Sequence, residues 1–266
     1  MPRTISDRTA HSAQRLDHLT PAEIRGWVRQ DALVLLPTGC TEGYAPHLTT
    51  GFDGSFAHML ALAAARNAAQ RYGVRSLVAL PILYGAPPKP EVWRSGHMEL
   101  AVEPLSAPIR CALESLAEQG FRRIVVWRGC EGCDLQDVVD NFNRRVGPGV
   151  RAFLPDQPYQ EVWRRIGEPG LAGEYSDRFI TTLAQYLWPD AVRADQSRGD
   201  ELMAVAAGGS PTAPLEAVKA RPIPDAGSTE LGAQLWFATT ELVTLTLKIA
   251  AETPLDMEEG DGRGSQ

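Results

Sequence analysis

Long apolar runs are missing from this chain of 266 residues, and that absence sets the first limit on its character. The best candidate, Leu60 to Ala65, falls far short of the roughly 18 residues that a membrane span requires and reads as the middle of an amphipathic helix. Cysteine is scarce: Cys40, Cys111, Cys130 and Cys133 are too few for a disulfide scaffold. Met1 to Arg15 contain no apolar stretch of the signal-peptide kind, so the cytoplasm is the expected compartment. An excess of positive charge is lacking too. The 26 Lys and Arg against 33 Asp and Glu leave a net charge of −7 and a pI near 5.3, which gathers neither nucleic acid nor an anionic membrane. Lysine is nearly absent, with only Lys89, Lys219 and Lys248, and nothing functional is drawn from it.

The rest is ordinary globular composition, 44% apolar and 22% charged. Residues 1–18 are polar and aperiodic, and residues 253–266 are acidic and Gly-rich; both read as mobile tails. Between them helical and strand-like segments alternate. Thr20, Pro21 and Glu23 form a capping-box pattern with Pro at the first helical position, predicting a helix to about Gln30. Apolar runs at Ala32–Leu36, Ser76–Leu83 and Arg123–Trp127 read as buried parallel strands. Helices are predicted near Ser55–Tyr72, Pro104–Gln119, Leu135–Arg145, Tyr175–Leu187 and Glu230–Ala251. The order implies an α/β fold with a mainly parallel sheet and helices on both faces. The Pro- and Gly-rich stretch Ala207–Gly227 is the one long irregular segment.

In such folds ligands bind beyond the carboxyl ends of the strands, so the loops after the strands are the place to look. The first carries Cys40, Glu42, Tyr44 and His47 and leads to Asp53; the second carries Trp93, Arg94 and His97; the third carries Arg128, Cys130, Glu131, Cys133 and Asp134. Carboxylates with imidazole and thiolate are donors for zinc or manganese, and such an ion turns water into a nucleophile near neutral pH. Blander readings accompany several of these. Asp53 and Asp134 also suit helix N-caps. Cys111 fits the apolar face of its helix, His58 the core or an interface, and His11 and His18 the N-terminal tail. Trp93, Trp127 and Trp163 either line a pocket or fill space. Cys130 and Cys133 form one C-x-x-C, half of a structural zinc site, and no second pair exists. A thioredoxin-like use of that pair finds no other support in the sequence.

The stretch LVLLPTGCTEGYAPHLTTGFD resembles the first motif of the creatininase (creatinine amidohydrolase) family, and RRIVVWRGCEGC stands where that family has its second. PILYG, SGHMEL, AGEY and YLWPDAV match further family segments in order, so the resemblance spans about residues 20–252. It implies a single three-layer α/β/α domain over residues 19–252, assembled as a homo-oligomer, often a hexamer. It also implies a divalent-metal site that hydrolyses amide C–N bonds of small molecules. By that resemblance Glu42 and Asp53 correspond to a metal-ligand carboxylate and the bridging carboxylate. His47 corresponds to a first-motif histidine that is not itself a ligand. Tyr44 and Cys130 stand where the family has ligand histidines, one for each of two metals, and Leu171 stands in the place of a histidine implicated in catalysis. Arg128 and Cys133 replace asparagines, and Ser176 replaces an acidic residue.

A phenol ionises near 10 and is a poor neutral-pH ligand, whereas a thiolate binds zinc well. The expected site is therefore reduced. Glu42, Asp53 and Cys130 would hold one zinc or manganese ion with His97 completing the set, or no ion is used and Cys130 is the nucleophile. In the second version His47 or His97 serves as base, Glu42 orients and Glu131 also acts in catalysis. A thiol at a helix N-terminus has a lowered pKa, which suits that version. Tyr44, Trp93, His97, Arg128 and Glu174 are the candidate substrate contacts. The expectation is a divergent enzyme for a small nitrogen-containing metabolite; the alternative is an inactive family member used for binding or assembly.

Overall fold

The computed structural model describes residues 14–43, 47–85, 93–98, 100–129, 134–156, 158–166, 175–193 and 229–255. Strands β1 (Gln14–Arg15), β2 (Leu33–Thr38), β4 (Ser76–Val78), β6 (Arg123–Arg128) and β7 (Arg151–Phe153) form a parallel sheet in the order β1-β4-β2-β6-β7. A separate antiparallel ribbon pairs β3 (Thr41–Gly43) with β5 (Trp93–Met98). The helices are α1 (Pro21–Arg29), α2 (Phe52–Tyr72), α3 (Val102–Glu118), α4 (Gln136–Arg145), α5 (Tyr159–Ile166), α6 (Tyr175–Leu187) and α7 (Thr229–Glu252). Among the described residues, no helix is long and apolar enough to cross a membrane.

Alternation along the central strands builds two cores. Leu33 and Leu35 of β2, Val78 of β4, and Val125 and Trp127 of β6 pack against α2, α5, α6 and α7. Val34, Leu36, Leu77, Ile124 and Val126 pack on the opposite side against α1, α3 and α4. Burial on both faces is why these strands read as unbroken apolar runs, and the result is the three-layer α/β/α arrangement. On the first side, Ala57, Ala61, Ala64, Ala65 and Ala68 of α2 are fully buried, and their small side chains let α7 lie close. Thr244 Oγ1 sits 3.5 Å from Ala64 O and donates to Thr240 O at 2.7 Å. Thr239 and Thr240 likewise donate to carbonyls one turn back, so the buried hydroxyls of α7 are satisfied within the helix.

Local signals hold where they are strongest. Thr20 caps α1 with the reciprocal Glu23 bond, and Pro21 takes the first position. The second predicted strand ends at Val78 rather than Leu83. Ala79 N donates to Leu35 O at 2.8 Å, and the next donor to β2 in that register is residue 81, a proline with no N–H. Ile82 N takes over, donating to Pro37 O at 3.0 Å. Gln14 and Arg15, within the segment read as a tail, pair with Leu77 and Val78. Leu255, at the other end, is buried. Cys111 is exposed and free, because the buried residues of α3 are Leu105, Ile109, Leu113 and Leu116 and it lies on the far side of them. Trp127 and Trp163 are buried core fillers. Strand β7 and helix α5 are too short for their periodicity to announce them.

His58 on α2 is half-buried, and its Nε2 has no hydrogen-bond partner. Burial lowers its pKa from the ordinary value, nearby Arg15 adds to the effect and Asp17 opposes it. The neutral ring is therefore favoured in the folded state. As pH falls below about 6.5 the unfolded chain takes up the proton first, and stability is lost until the lowered folded-state pKa is reached. His58→Gln is expected to flatten the fall in urea midpoint between about pH 7 and pH 5; an unchanged slope would show that His58 does not contribute.

Candidate active site

The carboxyl ends of β2 and β6 meet the first turn of α2, and glycine makes that meeting possible. A Cβ on Gly39 would lie 2.7 Å from Gly54 Cα and 2.9 Å from Gly54 N. One on Gly129 would lie 2.6 Å from Ala57 Cβ and 2.9 Å from Asp53 O. Main chain is thus packed directly on main chain. Gly129 N donates to Thr38 O at 2.6 Å and Gly39 N to Ile82 O at 2.9 Å, so strand pairing continues into the loops.

These contacts carry Asp53 to the C-terminal edge of the sheet. Asp53 is not an N-cap: that position is Gly51, and Asp53 is the second residue of α2, only 6% exposed. A carboxylate in the first turn is favoured by the helix dipole, but that does not require its burial. His47 is also buried, with Nε2 2.8 Å from Thr181 Oγ1 of α6. Its carbonyl accepts from Arg193 N at 2.7 Å, and Leu48 bridges Val192. His47 is therefore pinned to α6. Arg128 ends β6 half-buried, and its carbonyl accepts from Tyr159 OH at 3.2 Å. Tyr159 belongs to an aromatic group with Phe56, Trp127 and Phe179 that underlies this end of α2.

The ribbon brings two predicted segments together. Thr41 pairs with Met98 and Gly43 with Trp93, so Glu42 lies on the strand opposite the one bearing His97. Thr41 Oγ1 donates to Leu83 O at 3.0 Å, and Gly85 exchanges hydrogen bonds with Met98 and Leu100, which fastens the ribbon beside the sheet edge. The side chains of Glu42, Trp93 and His97 lie outside the described residues, as do Tyr44, Cys130, Glu131, Cys133, Leu171 and Glu174. Asp134 accepts from Gln136 N at 3.0 Å and so helps start α4.

Three features escape sequence reasoning. The glycine contacts had a signal, since Gly39, Gly54 and Gly129 bracket the predicted strand and helix ends, but spacing does not reveal that they touch. Thr181 as the partner of His47 had none. Cys40 is the third: it is buried and disulfide-bonded, with its partner outside the described residues.

Among the described residues, no group of three or more His, Cys, Asp or Glu side chains is placed to hold a metal. Of the expected donors Glu42, Asp53, Cys130 and His97, only Asp53 has a described side chain, and it is buried at the sheet edge.

The sequence matches the family model Creatininase, described as creatinine amidohydrolase, over residues 17–243. No curated protein matches it. Solved structures are similar in fold. A putative creatinine amidohydrolase from Bacteroides fragilis is 19% identical, with 85% of this chain and 92% of that one covered and a TM-score of 0.67. A manganese form of creatininase is 18% identical, with 91% and 100% covered and a TM-score of 0.70. A mutant creatininase of Zn–Zn type is 18% identical, with 91% and 99% covered and a TM-score of 0.68.

Gly129→Ala is expected to destabilise the protein by about 1–3 kcal/mol, because the methyl group must displace packed backbone. Urea unfolding measures it, and a change under about 0.5 kcal/mol would show that the contact yields.

Proposed function

Because the chain belongs to the creatininase family, we propose that it is a divergent amidohydrolase-type enzyme acting on an amide or related C–N bond of a small nitrogen-containing metabolite. The reading is carried by Asp53, a carboxylate buried at the carboxyl edge of the sheet, on a helix turn whose backbone packs against Gly39 and Gly129, at the residue that resembles the family's bridging carboxylate.

The site is a reduced one. A single zinc or manganese ion, the metals of the similar creatininases, would be held by Glu42, Asp53 and Cys130, with His97 as a further donor. Such an ion, when bound, polarises the scissile carbonyl and lowers the pKa of a water. The alternative chemistry at the same crevice uses the Cys130 thiolate as nucleophile with His47 or His97 as base and Glu131 beside it. Thr181 holds the His47 ring by Nε2, which fixes its orientation in either case. Tyr44, Trp93, His97, Arg128 and Glu174 are assigned to the substrate. The acting form is a cytoplasmic homo-oligomer, a hexamer by resemblance to the family.

Elemental analysis of the reduced protein, together with a hydrolysis screen of cyclic and linear amides, tests this reading. At most one equivalent of zinc or manganese per chain is expected, and Asp53→Asn is expected to lower turnover of the best substrate by about a thousandfold or more. Two equivalents of metal would overturn the reduced site. No turnover of any amide by the reduced, metal-supplemented protein would favour a non-catalytic family member instead.

A further inference from the structure

Seven large apolar side chains are exposed among the described residues, and they fall in two places. Leu80, Leu83, Tyr84 and Met98 follow the carboxyl edge of the sheet, beside the candidate site. Phe237, Leu245 and Ile249 stand on α7, at 67%, 40% and 64% exposure. That helix has few charges for a surface element: of its 24 residues only Glu230, Glu241, Lys248 and Glu252 carry one. A helix apolar nearly all round is normally covered on every side. The core covers one side of α7 through Leu235, Val243, Leu247 and Ala250. On the outer shoulder Ala238, Leu242, Leu245 and Ile249 recur at spacings of four, three and four residues, the a/d pattern by which helices pair. Ala238 and Leu242 are half-buried, and Leu245 and Ile249 open the seam to solvent.

The order of residues along the seam sets what it fits. Turned end for end by a two-fold axis level with the midpoint between Leu242 and Leu245, the seam meets itself: Leu242 lies against Leu245 of the second copy, and Ala238 against Ile249. Each isoleucine at the ends then has a small residue opposite, and the leucines fill the centre. The charges agree with this arrangement. Glu241 and Lys248 flank the seam at the g positions of the repeat, and the same axis brings Glu241 of one copy towards Lys248 of the other. Both also keep a partner in their own chain, Arg71 for Glu241 and Glu252 for Lys248, so neither charge is stranded when water is excluded. We propose that this seam of α7 is an isologous contact between two copies of the chain, packed as an antiparallel helix pair. It supplies the two-fold contact of the proposed homo-oligomer and rests on that reading.

Sedimentation velocity and light scattering on the full-length protein test the contact. The wild-type protein is expected to associate. Ile249→Glu is expected to halve the mass at the same concentration, because two equivalent carboxylates would be taken from water without a partner; Leu245→Lys is expected to do the same. Both positions are exposed in the single chain, so the helical circular dichroism of the variants is expected to be unchanged. An unchanged mass for both variants would overturn the seam and leave the oligomer standing. A monomeric wild-type protein would overturn both and leave the amidohydrolase reading standing. Cross-linking in a Cys111→Ser background tests the direction of pairing. A short bismaleimide is expected to join Leu245→Cys chains, whose thiols stand within one helical turn of the same level, at least about tenfold more than Glu230→Cys chains, which the antiparallel arrangement holds about 40 Å apart. Equal yields, or cross-linking at position 230 alone, would overturn the antiparallel pair.

Discussion

Contact between main chains at the carboxyl edge of the sheet governs the rest of the structure. With hydrogen in place of a side chain at Gly39, Gly54 and Gly129, the first turn of α2 settles onto the ends of β2 and β6 at distances that a Cβ would forbid. From that seat α2 runs down one face of the sheet, and its alanine side receives α7. The position of the first turn fixes Asp53, and the aromatic group around Tyr159 supports it from below. Site and core are thus one construction. A helix shifted outward by a methyl group would lose packing with α7 and move the buried carboxylate together.

The second constraint lies in the segments that flank this edge. His47 is tied by its ring to α6 and by its backbone to the segment ending at Arg193, while the β3–β5 ribbon is tied to Leu83 and Gly85. The loop from Cys40 to Asp53 is therefore anchored at both flanks by elements far away in sequence. Such long-range bonds hold the two flanks at a set spacing.

Much of the fold was legible because both faces of the central strands are buried. Runs such as Leu33 to Leu36 and Ile124 to Trp127 leave no polar phase, and the helix before them is announced by the capping box at Thr20 and Glu23. Elements held by pairing rather than by pattern were not legible: the two residues of β1, the ribbon strands and β7 have no period long enough to read. Cys111 misled for a related reason, since a small apolar residue beside Ile109 fits either side of a helix. At the site, Glu42, Tyr44, Asp53 and Cys130 were singled out through likeness to a known motif, and of these only Asp53 has a described side chain. The burial of Asp53 within the helix, rather than at its cap, was not, because it depends on Gly39 and Gly129, both distant in the chain, lying against the backbone of the first turn.

Pro81 shows how one missing hydrogen atom sets the phase of the residues beyond it. Before it, odd-numbered residues such as Leu77 and Ala79 face the α1 and α3 side. When Ile82 takes the bond that residue 81 would have made, the count slips by one: Ile82 now packs on that side, and Leu83 turns to the other, where its Cδ2 fills the place that a Gly54 Cβ would need. The proline thereby decides which leucine covers the start of α2. A chain with an ordinary donor at 81 would run on in step, present Ile82 there instead and offer the first turn of α2 a branched side chain set one residue earlier along the strand.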